Sequence, residues 1–176
     1  MKKSLPPYVH TFPAPAVLFA CGTVAEPNLI TCSWFGTVCS EPPHVSVSVR
    51  KSRFSYRLIH DNFEFTANIM KIDRLEAIKL CGTKSGRDTD KFKELGLTAA
   101  PCPPLESAPM IAEAPISLAC KVKHELELGT HQIFIAEVVG MFVEEELIRP
   151  SGRANPFSTE QIVYLDGKYW KLVKGE

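Results

Sequence analysis

A run of cations and hydroxyl groups, Arg50-Lys51-Ser52-Arg53-Phe54-Ser55, is the stretch of this sequence best suited to chemistry. It follows an alternating, strand-like segment and opens a helix-like one. The first turn of a helix carries unpaired N–H groups and the positive end of the helix dipole, and both favour an anion. The run therefore predicts a phosphate site. A solvated strand end with Ser52 as an ordinary helix cap fits the same residues.

Residues 28–35, Asn-Leu-Ile-Thr-Cys-Ser-Trp-Phe, are the second candidate. Polar Asn28, Thr31 and Ser33 stand among large apolar side chains. A planar heteroaromatic ligand needs such a mixture of apolar walls and a few placed hydrogen-bonding groups. A core strand with a buried Trp34 is the alternative interpretation.

Two further places combine a turn with a group that can contact a ligand. Residues 85–91 form a glycine loop that leads into a helix with Lys91 in its first turn, so Ser85 and Lys91 could help to hold an anion. His131 follows the Gly129-Thr130 turn at the start of a strand, where it could donate a proton or contact a ligand. A plain loop and an inert histidine are the corresponding alternatives.

The six cysteines do not predict a metal site. Zinc and iron–sulfur sites use short spacings such as C-x2-C, whereas the two closest cysteines here, Cys32 and Cys39, are seven residues apart. We expect free thiols, with Cys21, Cys32 and Cys120 as small buried strand residues and Cys39 as a buried thiol at a strand end.

Length and charge restrict the class of protein. A chain of 176 residues predicts a single domain, residues 1–176, with a sizeable core. Its 20 Lys and Arg balance its 20 Asp and Glu, which argues against a nucleic-acid binder. Prolines interrupt the N-terminal apolar stretch and no apolar run reaches 18 residues, so we expect neither a signal peptide nor a membrane span, and a cytoplasmic location.

Strand patterns dominate the sequence. Three segments alternate apolar and polar residues with a period of two, and they are Val45, Val47 and Val49; Phe63, Phe65, Ala67 and Ile69; and Ile116, Leu118, Cys120 and Val122. Residues 16–22, 29–38 and 133–143 are further strand candidates, the last broken at Gly140. Asp166-Gly167 predicts a hairpin between residues 162–165 and 169–173.

Three short helices complete the pattern. The first runs from Arg53 to about residue 60 with Ser52 as its cap, and the second starts at Asp73 and stops near Leu80 before Gly82. The third is opened by Asp88 or Thr89, covers residues 90–95 and is closed by Gly96. Many strands with few helices indicate a mainly β, antiparallel barrel or sandwich with short helical additions, and no dinucleotide or P-loop fingerprint is present.

Taken together, these segments resemble the flavin reductase-like family, and within it the flavoredoxin-type branch. The matching pieces occur in the family's order and cover roughly residues 13–170; they are Pro15-Ala16-Val17-Leu18, Cys21-Gly22-Thr23, Asn28 through Gly36, Pro42-Pro43, Val45 through Arg50, Arg53 with Ser55, Phe63 through Asn68, Ser85-Gly86, Asp90-Lys91-Phe92, Leu128 through Val138, and Tyr164 through Gly167. The resemblance implies an FMN-binding split barrel with a six-stranded Greek-key core, usually a homodimer with FMN near the subunit interface.

The resemblance also implies roles for particular residues. Along the isoalloxazine ring it places Thr31, Cys32, Ser33, Trp34, Ser48, Val49 and Arg50. At the FMN phosphate it places Ser52, Arg53 and Ser55, with Ser85 and Lys91 closing over it. His131 matches the histidine of the family's Gly-Asp-His motif near the nicotinamide end of the site, but Thr130 replaces the aspartate that orients it.

The implied activity is electron transfer through bound FMN, as an FMN-dependent oxidoreductase that takes hydride from NAD(P)H. One alternative is an electron-transfer module that exchanges electrons with a protein donor or acceptor and has no useful NAD(P)H activity, which the loss of the motif's carboxylate favours. A non-redox flavin-binding protein is another. Cys39, just past the Trp34-Phe35-Gly36 segment, could also face the flavin.

Overall fold

The computed structural model describes residues 1–9, 11–156 and 160–173. In chain order, the strands of these residues are β1 (Ala14–Pro15), β2 (Val17–Gly22), β3 (Pro27–Cys32), β4 (Phe35–Ser40), β5 (Pro43–Arg50), β6 (Glu64–Ile69), β7 (Ala99–Ala100), β8 (Met110–Ile111), β9 (Ile116–Leu128), β10 (His131–Val143), β11 (Ile162–Leu165) and β12 (Lys168–Lys171). The α-helices are α1 (Phe54–Asn62), α2 (Leu75–Thr83) and α3 (Lys91–Leu95). Short 3₁₀ turns cover Ile72–Arg74 and Glu145–Leu147.

The main sheet is antiparallel and has seven strands in the order β3-β2-β6-β9-β10-β5-β4. Its two edge strands, β3 and β4, follow each other in the chain and are joined only by Ser33 and Trp34. The sheet must therefore curl until its edges meet at these two residues, and beside them the Ser48 N–H of β5 donates to the Trp34 carbonyl at 2.9 Å, which extends the pairing of β5 with β4. The mainly β, antiparallel prediction is confirmed, with one strand more than the six of the implied core.

Alternating residues of the sheet fill the interior of the barrel. Val45, Val47 and Val49 of β5 are buried while the residues between them face outward, as the period-two pattern predicts. Phe19, Phe65 and Phe134 from three other strands are fully buried in the same cluster, whose remaining buried members are Val17, Cys21, Ile30, Cys32, Ile59, Ala67, Cys120, Val122 and Ala136. Burial of these side chains is the main driving force for closing the barrel.

A second apolar cluster covers the outside of the barrel at β2 and β3. Every residue of β2 is buried, because Leu18 and Ala20 pack outward against α2 and α3 while Val17 and Phe19 pack inward. A strand that is buried on both faces appears in the sequence as a continuous apolar run, as residues 16–22 do. This layer places the C-terminal end of α2 and the start of α3 beside β3.

Several predicted element boundaries were wrong. Residues 29–38 are two strands, because the chain turns at Ser33-Trp34 where the barrel edges meet. Helix α1 starts one residue later than predicted, and its N-cap is Arg53, with no side-chain cap hydrogen bond from Ser52 or any other residue. Helix α2 continues through Gly82 to Thr83, and Phe63 adopts a left-handed conformation (φ 54°) and is exposed instead of continuing the buried face of β6.

The local turn signals were the most reliable. Gly96 ends α3 with φ 61°, as predicted, whereas the cap is Asp90, which accepts from the Lys93 N–H, and not Asp88 or Thr89. Asp166 and Gly167 both have positive φ in the hairpin that joins β11 to β12, and β11 pairs with β1. Among the described residues, no helix has the length and apolar character that crossing a bilayer requires.

Candidate functional site

The ends of β3 and β5 border a cavity of about 360 Å³, which we call the strand cavity. Its lining residues are Ala16, Ile30, Thr31, Cys32, Ser33, Trp34, Ser48, Val49, Arg50, Arg53, Gly82, Thr83, His131, Tyr164 and Tyr169. The lining mixes backbone, hydroxyl groups and aromatic rings, with cations only at Arg50 and Arg53. The structure thus brings together the predicted ring-contacting residues 31–34 and 48–50.

The chain turn at Ser33-Trp34 opens this cavity. The Thr31 hydroxyl donates to the Ile78 carbonyl of α2 at 2.6 Å, which fixes the helix against the end of β3. Cys32 points its side chain into the barrel core, so it reaches the cavity with its backbone. One wall of the cavity is the end of β3, an edge strand whose residues Thr31 and Cys32 pair with β2 on one side, so its other side can offer backbone groups to a ligand.

His131 lies in the strand cavity as a neutral, anchored ring. It stacks on Trp34, with ring centroids 4.2 Å apart and an interplanar angle of 29°. Arg50 Nε donates to His131 Nε2 at 3.4 Å, so Nδ1 carries the proton and donates to the Thr130 hydroxyl at 2.9 Å. Burial and the charge of Arg50 both lower the pKa of His131. Near pH 7 the imidazole therefore orients Arg50 and holds no extra proton to donate.

A second cavity of about 260 Å³ adjoins the first and shares Ile30, Arg50 and Arg53 with it; we call it the basic cavity. The other residues that line it are Ser52, Phe54, Ser55, Cys81, Lys84, Ser85, Gly86, Arg87 and Lys91. Five of the lining side chains are cationic, and among the described residues that line it there is no carboxylate. The N-terminal turn of α1 adds N–H groups, so this end of the site is built for an anion.

Lys91 is the most unusual cation of the basic cavity. It is 4% exposed, and its ammonium donates to the carbonyls of Leu29 at 2.6 Å and Cys81 at 3.4 Å. Burial lowers the pKa of Lys91. An ammonium has three protons, so one donor remains beyond the two carbonyl bonds. Lys91 therefore ties β3 to α2 and still presents positive charge to the cavity.

The loop of residues 85–87 forms the outer wall of the basic cavity. The Ser85 hydroxyl accepts from the Arg87 N–H at 3.2 Å and thereby shapes the loop. Arg87 lies over the Phe54 ring, with its guanidinium carbon 5.7 Å from the ring centroid, and donates to the Ser52 carbonyl at 3.5 Å. The loop is thus held against the start of α1.

Asn28 does not line either cavity. It is buried behind the basic cavity, where its amide Nδ2 donates to the Ser55 hydroxyl oxygen at 2.6 Å. The other predicted residues of the site all line at least one of the two cavities, and these are Thr31, Cys32, Ser33, Trp34, Ser48, Val49, Arg50, Ser52, Arg53, Ser55, Ser85, Lys91 and His131.

Sequence reasoning missed several lining residues. Lys84 and Arg87 flank the predicted Ser85-Gly86 pair, and their charge next to a glycine loop was the signal that could have found them. Tyr164 and Tyr169 come from the C-terminal hairpin, and their rings are 5.2 Å apart in an edge-to-face arrangement. Nothing local in the sequence links this hairpin to residues 31–34.

The cysteines are all free, and five are buried. Burial raises the pKa of Cys21 to about 11 and that of Cys32 to about 12, so these thiols stay protonated and unreactive near neutral pH. Cys39 is exposed on the edge strand β4, which corrects the expected buried thiol, and it lines neither cavity. Within the described part of the chain, no three His, Cys, Asp or Glu side chains converge on a possible metal position.

The chain belongs to the flavin reductase-like family: the family model described as "Flavin reductase like domain" matches residues 9–172. The sequence-based identification of the family is therefore confirmed. The chain is thus in the class of flavin reductase-like oxidoreductases, and its fold agrees with that of similar solved structures.

The structure is similar to that of flavoredoxin of Desulfovibrio vulgaris (Miyazaki F), with a TM-score of 0.90, 30% sequence identity, and coverage of 100% of this chain and 96% of that one. The reductase component of a 4-nitrophenol 4-monooxygenase/4-nitrocatechol 2-monooxygenase from Rhodococcus opacus is 33% identical over 81% of this chain and 66% of its own length. An FMN reductase (NADH) of Pseudomonas syringae pv. syringae is 29% identical over 67% of this chain and 70% of its own length.

Proposed function

We propose that this protein binds FMN in the two joined cavities and passes electrons through it. The observation that carries the proposal is the division of the site into a part with flat walls and a cationic part without carboxylates, joined at Ile30, Arg50 and Arg53. A flavin mononucleotide has the same division into a planar ring and a phosphate dianion. The chemistry of the donors therefore fits the whole cofactor.

The residues divide between the two parts of FMN. Thr31, Ser33 and Trp34, together with Ser48 and Val49, are available to the ring in the strand cavity. The phosphate would meet the basic cavity, whose donors are Ser52, Arg53, Ser55, Lys84, Ser85, Arg87 and Lys91. Arg50 stands at the junction, where His131 orients its guanidinium.

When bound, FMN supplies the chemistry of accepting a hydride or single electrons and releasing them. The protein contributes position and electrostatics. Arg50 and the hydroxyl groups of the strand cavity favour negative charge on a ligand there, which would stabilise the reduced form of the cofactor. Tyr164 and Tyr169 of the C-terminal hairpin border the strand cavity and reduce its access to water.

For the electron donor we propose NAD(P)H, since the FMN reductase and the monooxygenase reductase component are relatives over much of the chain. Thr130 replaces the aspartate of the Gly-Asp-His motif, but its hydroxyl accepts from His131 Nδ1, so the hydrogen bond that orients the histidine is kept.

A carrier that receives electrons from a protein is the second candidate. An apolar cavity of about 460 Å³ adjoins the strand cavity at Ser33, Trp34 and Tyr164, and the described residues that line it include Asp166 and no Lys or Arg. The described lining of this cavity has no Lys or Arg that could bind the pyrophosphate of a dinucleotide. The likeness to flavoredoxin also supports a carrier.

We further propose a cytoplasmic homodimer. Free buried thiols are typical of proteins in a reducing compartment.

Large apolar side chains are exposed at the end of the β9–β10 hairpin and on the C-terminal segment, and they are Leu126, Leu128, Trp170, Leu172 and Val173. A second copy of the chain would remove such surface from water.

Anaerobic stopped-flow reduction of the FMN-loaded protein tests the electron donor, with dithionite as the control. Rapid bleaching of the flavin by NADH or NADPH, at a rate that saturates with nucleotide, is the expected result and rejects the carrier without NAD(P)H activity. If dithionite bleaches the flavin and neither NADH nor NADPH does, the carrier without NAD(P)H activity is the remaining candidate. A protein that stays colourless after incubation with FMN and gel filtration would contradict both.

A further inference from the structure

Asn28 lies beneath the basic cavity and contacts two separate pieces of its wall. It belongs to β3, is 5% exposed and is absent from the lining of both cavities. The two pieces that it contacts are Ser55, on the first turn of α1, and Gly86, in the loop before α3. Both of these residues line the basic cavity.

The contact with Ser55 determines where the serine proton can point. Asn28 Nδ2 donates to Ser55 Oγ at 2.6 Å, so the oxygen accepts one bond and the hydroxyl proton must be donated elsewhere. Its alternative protein acceptor is the sulfur of Cys21, which is a weak one. An anionic oxygen in the basic cavity is a much stronger acceptor for the same proton.

The contact with Gly86 determines how closely the loop approaches. A Cβ at Gly86 would lie 2.0 Å from Asn28 Oδ1 and 2.9 Å from the Phe54 ring, so no larger residue fits without moving the loop or the amide. Ser85 and Arg87, on either side of Gly86, both line the cavity. The position of these two donors therefore depends on the Asn28 amide.

We propose that Asn28 is a positioning residue for the phosphate group of the ligand: one buried amide orients the Ser55 hydroxyl and sets the distance between α1 and the loop of residues 85–87. This inference rests on the proposed function, in which the phosphate of FMN occupies the basic cavity. It replaces the sequence-based prediction that Asn28 itself contacts the cofactor.

Riboflavin is the probe that isolates this role, because it carries the same ring as FMN without the phosphate. The Asn28 amide donates to Ser55 and lies against Gly86, both of which line the basic cavity, and its remaining contact is with the Cys21 sulfur at 3.8 Å, a weak acceptor in the barrel core. Loss of the amide should therefore weaken the binding of FMN and leave that of riboflavin unchanged. A role in overall stability would change both affinities together.

The experiment titrates the apoprotein with FMN and with riboflavin and follows the quenching of flavin fluorescence. We expect Asn28→Ala to raise the Kd for FMN about tenfold, since a charge-assisted hydrogen bond and its geometry are lost, and to change the Kd for riboflavin by less than about twofold. Asn68→Ala is the matched control, because Asn68 is a buried asparagine whose partners lie away from both cavities. It should lower stability and leave the ratio of the two Kd values unchanged.

Two further substitutions keep the test decisive if Asn28→Ala does not fold. Ser55→Ala should raise the Kd for FMN by a similar factor, and the double variant with Asn28→Ala should be no worse than either single variant, because both remove one hydrogen-bond chain. Gly86→Ala should also weaken FMN binding, and much of that loss should disappear when Asn28→Ala removes the atom that the new methyl group meets.

Independent, additive effects of these substitutions, or an equal loss of FMN and riboflavin binding in Asn28→Ala, would overturn the positioning role while the proposed function stands. If the unmodified protein binds FMN no more tightly than riboflavin, the proposed function fails and the inference fails with it.

Discussion

Two buried asparagines, Asn68 and Asn28, differ in where their hydrogen bonds lead: one bonds within the protein core and the other lies next to a cavity. Asn68, on β6, is completely buried and uses its whole capacity inside the protein: Nδ2 donates to the Leu18 carbonyl and to the Thr66 hydroxyl, and Oδ1 accepts from the Ile111 N–H and the Ser117 hydroxyl. Asn28, on β3, is buried to a similar degree but ends its chain of hydrogen bonds at Ser55, which faces a cavity.

The surroundings of the two asparagines differ in how many hydrogen-bond donors remain unused after the internal hydrogen bonds are formed. Around Asn68, Thr66 completes the network by donating to the Pro109 carbonyl, so these groups serve the fold. Around Asn28, the Ser55 hydroxyl, the third proton of Lys91 and the guanidinium of Arg53 all remain for a ligand. Surplus donors at the edge of a satisfied network mark the candidate binding site more clearly than burial does.

The largest effect on ligand binding is expected at Arg53, which lines both cavities. Arg53→Met should weaken FMN binding by about 100-fold, or about 2.7 kcal/mol, because it removes charge-assisted hydrogen bonds to the phosphate, and it should weaken riboflavin binding much less. Arg57→Met is the matched control: Arg57 is on the same helix, exposed, and paired only with Asp61 at 3.1 Å. Equal losses in the two variants would contradict the assignment.

The largest effect on stability is expected at Asn68. Asn68→Ala leaves the Ser117 hydroxyl and the Leu18 carbonyl without their buried partner, so the free energy of unfolding should fall by about 2–4 kcal/mol. Urea denaturation at pH 7 measures the loss. An unchanged unfolding midpoint would show that the network around Asn68 does not support the fold.

Glu64 is expected to make a pH-dependent contribution to the free energy of unfolding, smaller than that of Asn68. Burial alone would raise the pKa of Glu64, but the N–H groups of Ser107, Glu106 and Ala108 donate to its carboxylate and bring the pKa below the ordinary 4.5. A carboxyl group with a lowered folded-state pKa stabilises the protein above its unfolded-state pKa, and that stabilisation is lost as the pH falls through the folded-state value.

Glu64→Gln should therefore lower the free energy of unfolding by about 1–2 kcal/mol at pH 7, and the difference from the unmodified protein should shrink as the pH falls through the folded-state pKa of Glu64, which lies below 4.5. Denaturation curves at several pH values check this. A difference that is constant from pH 3 to about pH 7 would exclude the charged carboxylate as its source.

The smallest effect is expected at Cys39, which is exposed on β4 and lines neither cavity. Its thiol donates only to the nearby Glu41 carbonyl at 3.3 Å. Cys39→Ser should leave FMN affinity and the rate of flavin reduction unchanged within error. A clear loss of turnover would restore the hypothesis that this thiol faces the flavin.

The sequence predicts those features that depend on neighbours in the chain. The alternation at Val45, Val47 and Val49, the end of α3 at Gly96 and the Asp166-Gly167 hairpin all follow from local preferences. Part of the lining of the basic cavity follows from the sequence for the same reason, since Arg50, Ser52, Arg53 and Ser55 are close together in the chain.

Features that depend on closing the barrel were missed. The turn at Ser33-Trp34 exists because the two sheet edges meet there, and residues 29–38 show no local break. Tyr164 and Tyr169 reach the cavity through the pairing of β11 with β1, far away in the chain. The indirect position of Asn28 depends on Gly86, 58 residues later, which only the folded chain brings within contact distance.

The central claim is that one ligand spans both cavities, with its phosphate in the cationic part. Titration of the unmodified apoprotein with FMN and riboflavin tests this claim most directly. We predict that FMN binds at least about 100-fold more tightly than riboflavin, because the cations of the basic cavity act on the phosphate alone. Equal affinities for the two flavins, or no binding of either, would contradict the account.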